Sequence, residues 1–311
     1  MSNKSQKIYK YDISKLTEIL NFLKKSPNTK RTKQSWIKKK IKAVILKIGN
    51  KIIGIIPFEN VIDIQKNRIA WITGAYVSNK FQGQGFGSII LDSFKKLYKN
   101  YDYIFALPGQ INGKAAKWYI KNKFKVLIYI YSLEIKKFKL TKFVNYSVAK
   151  NNIEIKKNTS SFINIHKNFN KSFYCFPVRN YSYWNNQINY HYYKKYYKFY
   201  FIYLKKNNKI ISYALVGITS IKDKIKRIDI LEIACDRTYK FFNNTIFAVY
   251  NFAFKNNINV IRIQVTKNDM MKHFLFKLGF KIRWKTYLLY RNLNGTNLNK
   301  KFVRFFGIDY I

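Results

Sequence analysis

The sequence predicts an α/β protein built twice, two mixed and mostly antiparallel sheets flanked by helices and joined in tandem. Three observations predict it. Apolar runs of strand length pair around short polar turns, as AVILKIG and KIIGIIPF do about Gly49 and Asn50. Runs with apolar residues at helical spacing follow these hairpins. The same series then recurs in the second half of the chain. A length of 311 residues fits about two domains. They are expected at 1–136 and 161–311, with the Lys/Asn/Ser-rich residues 137–160 as linker.

The first half reads in order as follows. Residues 1–40 look helical, with Leu16, Ile19, Leu20 and Leu23 on one face and a break at Ser26-Pro27-Asn28. The hairpin about Gly49-Asn50 comes next, then a strand in RIAWITGAYVS. A Gly-rich stretch, FQGQGFGS, leads into a run with Phe86, Ile90, Phe94 and Leu97 on one face. YDYIFAL reads as a strand, GKAAKWYIKN as a helix and KVLIYIYSLEI as a long strand.

The second half repeats this order. FYFIYLKK and KIISYALVG flank Asn207-Asn208, and KRIDILEIACD corresponds to the strand before the Gly-rich stretch. TIFAVYNFAFKN reads as the matching helix and NVIRIQV as the matching strand. Asn112 precedes a helix and Phe124, and Asn268 precedes a helix and Phe280 at the same spacing. Tandem duplication accounts for the shared offsets. The aromatic region FYCFPVRNYSYWNNQINYHYYKKYYKFY reads as core positions in a Tyr/Phe-rich chain; base stacking is the alternative.

Composition narrows the function classes. The 60 basic residues exceed the 14 acidic ones by 46 charges. An anionic partner such as RNA or a ribosome is one account. An A/T-rich genome is the other, since only 9 of the 60 are Arg and the lysines are spread along the chain. Cys175 and Cys235 lack metal-site or disulfide spacing, and His166, His191 and His273 are scattered, so no metal is expected. No apolar run reaches the ~18 residues of a membrane span, and the N-terminus lacks the apolar core of a signal peptide. A cytoplasmic protein without membrane attachment is therefore expected.

Gly83, Gly85 and Gly87 concentrate chemistry in one place, for the chain has only 12 glycines. A strand, a tight Gly-rich turn and a helix make a phosphate cradle, because unobstructed backbone N–H groups converge at the positive end of the helix. Gln82, Gly83, Gln84, Gly85, Phe86, Gly87 and Ser88 would line it. The Walker pattern fails, since no Gly-Lys-Ser/Thr follows. The dinucleotide fingerprint needs GxGxxG and this is GxGxG, although Asp102 falls at the spacing that fold favours.

The stretch QGQGFG resembles the Q/R-x-x-G-x-G/A signature of the GNAT superfamily of N-acetyltransferases, with Gln82, Gly85 and Gly87 at its positions. Asn112, Ala115, Tyr119 and Phe124 resemble the family's second hallmark, with Lys123 where Gly is usual. The second half keeps Leu278-Gly279-Phe280 but has Leu275 in place of the Tyr. The resemblance implies two GNAT-like domains in tandem, each with a splayed central strand pair. The first would bind acetyl-CoA, and the second would be degenerate. It further implies direct acetyl transfer from acetyl-CoA to an amine acceptor.

In that reading the turn binds pyrophosphate, with Asn112 also on the cofactor, and the strand ending Tyr76, Val77 and Ser78 pairs with the pantetheine arm. Tyr119 matches the general-acid position. Glu59 and Asp63 are the nearest candidate bases in sequence, with bound water as the alternative. Backbone N–H groups near Val77 would polarise the thioester carbonyl. The second half, without turn glycines at ACDRTYKFFNNTIF, would shape the acceptor pocket, with Arg179 and Trp184 either in its wall or simply packed. A neutral amine, a peptide N-terminus or an RNA-borne acceptor suits the charge better than a polycation. The alternative is a basic RNA- or ribosome-binding protein on a GNAT-derived fold with little catalysis.

Overall fold

The computed structural model describes residues 6–10, 13–26, 33–38, 40–63, 66–109, 111–136, 138, 145–150, 153–169, 174–175, 184, 188, 197–221, 225–235, 240–295, 298 and 303–304. It divides into two compact units. One comprises Met1–Leu127 with Tyr287–Leu298, the other Ile128–Thr286 with Asn299–Ile311. These limits differ from the contiguous halves expected from sequence, and the strand pairing explains the difference.

In the first unit, β1 (Gln6–Lys10), β2 (Lys42–Ile48), β3 (Lys51–Ile62) and β4 (Arg68–Ile72) run antiparallel in sequence order. β4 then pairs in parallel with β6 (Tyr103–Ala106), Ile69 to Tyr103 through Ile72 to Ala106. A short strand, β5 (Tyr76–Val77), continues β4 after a break and pairs with Gly54 and Ile55 of β3. The far neighbour of β6 comes from the other end of the chain. Leu289–Asn292, the end of β14 (Lys281–Asn292), runs antiparallel to it.

The second unit has the same order. β8 (Ser147–Lys150), β10 (Lys198–Lys206), β11 (Lys209–Ile221) and β12 (Ile225–Cys235) are antiparallel neighbours, and β12 pairs in parallel with β13 (Val260–Thr266). Its last strand is β7 (Lys125–Lys136), antiparallel to β13. Each unit thus takes its final strand from the other half of the sequence. The expected linker contains β8 and the first turns of helix α5 (Ile153–Phe169). β9 (Tyr174–Cys175) pairs in parallel with β15 (Val303–Arg304) in this unit. The repeat extends to irregularities: both hairpins carry a bulge three residues before the turn, at Leu46/Lys47 and at Leu204/Lys205. Among the described residues, no helix is long and apolar enough to cross a membrane.

Alternation along the strands builds two apolar layers in the first unit. Val44, Leu46, Ile56 and Phe58 face helix α3 (Phe86–Leu97), against Ile90, Leu91 and Phe94. Ala43, Ile45 and Ile55 face α1 (Leu16–Leu23) and α2 (Lys33–Lys38), against Ile19, Leu23 and Trp36. The segment 6–10, expected to be helical, is a strand. Its pairing with β2 and the packing of Ile8 in the α3 layer override its weak local signal.

Candidate active site

The site is built where β4 and β6 part. They stay paired to Ile72 and Ala106; the chain then turns through Thr73, whose N–H donates to Pro57 O (3.0 Å), and Gly74. Beyond the break, β5 belongs to β3, and among the described residues it pairs with no strand on its other edge. Ser78 N–H donates to Ile53 O (2.8 Å), towards β3. Backbone groups alternate in direction along a strand, so Val77 N–H points to the open edge.

Asn79–Phe81 then form one 3₁₀ turn, and the Gly-rich stretch follows. Gly83 and Gly85 have φ of +81° and +83°, left-handed values that most side chains resist. A Cβ at either would meet nothing within 4 Å, so both face open space. Gly85 is the N-cap of α3, and its carbonyl accepts from Ser88 and Ile89 N–H (2.9 and 3.2 Å). Phe86, Gly87 and Ser88 thus form the first turn, at the positive end of the helix dipole, with the Ser88 N–H already turned back to Gly85.

The glutamines hold the turn. Gln82 Nε2 donates to Val77 O (2.8 Å) and Asn79 Oδ1 (3.0 Å), and Gln84 Nε2 to Lys80 O (3.0 Å). Phe86 packs into the core beside Phe81, with rings 5.7 Å apart, and so offers the site its backbone only. Tyr76 likewise is buried, its ring 5.2 Å from Phe22, and only its main chain lies on the strand edge.

Helix α4 (Lys114–Lys121) brings Trp118 against this turn, with Tyr119 next to it in the α3 layer. A Cβ on Gly87 would lie 3.1 Å from the Trp118 indole, so only glycine admits this packing without displacing it. Trp118 and Tyr119 rings are 4.7 Å apart, and Phe124 lies 4.9 Å from Tyr119. Tyr119 is buried, and burial pushes its phenol pKa well above the ordinary value. Asn112 is exposed just before α4, and the adjacent Ile111 carbonyl accepts from Tyr287 Oη (2.7 Å).

The two candidate bases lie elsewhere. Asp63 is buried and closes the β3–β4 turn, accepting from Asn67 N (2.9 Å) and Nδ2 (2.8 Å). Glu59 is half-buried opposite Trp71. It follows Phe58, which shares the α3 layer with Tyr119, so Glu59 points to the other face of the sheet. Asp102 is structural: Oδ2 accepts from Arg68 N (2.8 Å) and Oδ1 from Asn294 Nδ2 (3.0 Å).

In the second unit, residues 236–239 and Arg179 lie outside the described residues. Trp184 is fully buried against Phe162, Phe201 and Tyr213 of its own core, so it packs. Glu232 is also buried. It accepts from Tyr213 Oη (2.5 Å) and lies 3.3 Å from His166 Nδ1, within its own unit.

Two contributors escaped the sequence reading. Trp118 had no signal beyond its place beside Tyr119. Gly54 had one, an isolated glycine inside a strand. Its Cβ would stand 2.5 Å from Ile90 Cδ1 and 3.3 Å from Val77 Cγ2, so Gly54 lets α3 and β5 approach β3 together.

Two units with the same strand order, each with one parallel pair, and in the first unit a pair that parts beside a Gly-rich turn, define a class of fold. The model of the Acetyltransferase (GNAT) family matches residues 12–124, so this segment is a GNAT acetyltransferase domain. The whole chain has the tandem GNAT fold. A tandem GNAT protein from the clavulanic acid biosynthesis pathway aligns with a TM-score of 0.59 at 8% identity, covering 94% of this chain and 100% of that one. A GCN5-related N-acetyltransferase from Anabaena variabilis aligns at 0.69 and 11% identity, over 93% of this chain and 73% of that one. A probable N-acyltransferase from Enterococcus faecalis V583 aligns at 0.67 and 11%, with the same coverages. No curated protein matches the chain.

Proposed function

We propose that the protein is an N-acetyltransferase that moves an acetyl group directly from acetyl-CoA to an amine. The observation that carries this is the junction of Gly83 and Gly85, both left-handed and opening on free space, with the first turn of α3 and the open edge of β5. Acetyl-CoA would lay its pyrophosphate on the N–H groups of residues 83–87 and the Ser88 hydroxyl, and its pantetheine amides along Tyr76–Ser78. Asn112, before α4, would complete the cofactor site.

Val77 N–H would donate to the thioester oxygen, which gains charge as the amine attacks. The carbon–sulfur bond then breaks, and the sulfur leaves towards Tyr119. Because burial raises the pKa of Tyr119, its hydroxyl stays protonated at working pH and serves as a hydrogen-bond donor to that sulfur. The amine proton leaves by way of water, since Glu59 stands on the opposite face of the sheet.

Ser88→Glu tests the cradle. Position 88 is the third residue of α3, where a glutamate favours the helix terminus. The same carboxylate would repel a pyrophosphate. Calorimetry at moderate salt should find saturable one-to-one acetyl-CoA binding in the wild type and none in Ser88→Glu, with an unchanged or raised melting temperature. Equal binding by both proteins would reject the cradle.

A further inference from the structure

At the end of α3 remote from the Gly-rich turn lies a groove of about 940 Å³ in the first unit. The start of β2, the end of β3, the start of β4 and the ends of α2 and α3 form it. The twelve residues of α3, about 18 Å of helix, separate it from the acyl-transfer site.

Six cations line it: Lys10, Lys40, Lys42, Arg68, Lys96 and Lys99, all exposed. They are six of fifteen lining residues, against 60 of 311 in the chain, so the groove is enriched in cations beyond the general composition. Among the described residues, no Asp or Glu lines it. Three acids adjoin lining residues in sequence: Asp63 is held on Asn67, Asp102 on the Arg68 N–H and Asn294, and Glu59 is half-buried opposite Trp71.

Local packing absorbs part of this charge. Lys42 Nζ donates to Tyr101 Oη (3.3 Å), Lys10 lies 5.6 Å over the Tyr98 ring, and Lys96 is at the negative end of α3. A helix terminus supplies only about half a charge, so most of the six remain uncompensated. Between them the lining mixes the polar Asn60 and Asn100 with apolar and aromatic side chains. Ile37 and Ile62 are each 47% exposed, and Leu97 adjoins them.

We propose that this groove binds a single-stranded nucleic acid, with phosphates on the six cations and sugar or base surface over Ile37 and Ile62. A run of phosphates matches a run of cations, and unpaired bases present apolar faces. A duplex keeps those faces stacked inside and would leave the isoleucines bare. A bilayer surface does not enter a concave cleft.

The test compares two triple charge reversals in the full chain. One is in the groove: Lys40→Glu, Lys96→Glu and Lys99→Glu. The other is at exposed positions elsewhere: Lys206→Glu, Lys209→Glu and Lys277→Glu. The net charge change is the same. The probe is labelled polyuridylate, titrated at several salt concentrations, with phosphatidylserine vesicles in parallel. The groove variant should bind about tenfold more weakly or worse, and its slope of log K against log salt should fall by about 2, for three lost phosphate contacts. The second variant should stay within about twofold of wild type. Equal weakening of both would overturn the proposal, since overall charge would then suffice. So would an unchanged groove variant, or binding to vesicles without binding to polyuridylate. Melting curves confirm folding, and the corresponding triple Lys→Ala variant gives the same comparison should the reversal fail to fold.

Discussion

Lys123 stands with φ +65° at the end of α4, where the second half places Gly279 with φ +91° at the corresponding position. The backbone demands a left-handed residue at both places, and only one has the residue suited to it. Left-handed strain of about 1–2 kcal/mol exceeds the extra freedom glycine gives the unfolded chain. Lys123→Gly should therefore stabilise the protein by about 1 kcal/mol and raise the melting temperature by roughly 3 °C; a lower midpoint would show that Lys123 makes compensating contacts. At Tyr119 the raised pKa gives a pH signature. The folded state holds the phenol proton more tightly than the unfolded chain does, so the stability it contributes is full below pH 10.0, the ordinary value, and is lost as pH climbs from there. Tyr119→Phe should melt with a shallower decline between about pH 9 and 11 than wild type. It should also lower kcat about 100-fold with little change in KM for acetyl-CoA. Glu59→Gln, by contrast, should leave kcat/KM within about tenfold, since its carboxylate faces away from Tyr119.

Elements differ in how plainly the sequence announces them. The hairpins, α3, α4 and the Gly-rich turn were readable because each carries a local cause: apolar period, turn residues, or glycines where φ is positive. The exchange of β7 and β14 between units was not readable, because both strands follow their helices in the expected order and only pairing reveals which sheet they complete. β1 was missed because five residues paired to β2 draw their stability from a neighbour. For the site, residues 82–88 and Tyr119 were legible, but the link between them, Trp118 on Gly87, is tertiary. Gly54 makes that dependence testable. A valine there must displace Ile90, Val77 or both, so overpacking should cost about 1–3 kcal/mol. Since the same displacement moves α3 and β5 apart, Gly54→Val should also weaken acetyl-CoA binding more than a core variant of equal instability in the second unit, such as Phe162→Leu. Equal weakening would reduce Gly54 to a packing residue.

At the scale of the molecule, charge is the dominant fact. Fourteen acids cannot pair with 60 bases. Pairs such as Arg262 with Glu134, at 2.7 Å, and Arg291 with Asp92, at 3.0 Å, occupy acids without altering the surplus. Folding concentrates this surplus, so the compact state carries a self-repulsion that the expanded chain relieves. Salt acts on it in one direction. The screening length falls from about 30 Å at 0.01 M to about 10 Å at 0.1 M, short against the span between lysines on different elements but long against a contact ion pair. Repulsion over distance is thus screened before pairs at contact are. The melting temperature at pH 7 should therefore rise as sodium chloride increases from 0.01 to 0.15 M, and Lys→Glu reversals at exposed sites should reduce that rise. A melting temperature that falls with salt would mean that the few ion pairs outweigh the surplus. The cation-lined groove sharpens the expectation, because a bound polyanion would neutralise locally what salt screens everywhere. Polyuridylate should thus raise the melting temperature most at low salt, and the groove reversal should remove that rise while reducing the response to sodium chloride no more than the reversal at Lys206, Lys209 and Lys277 does.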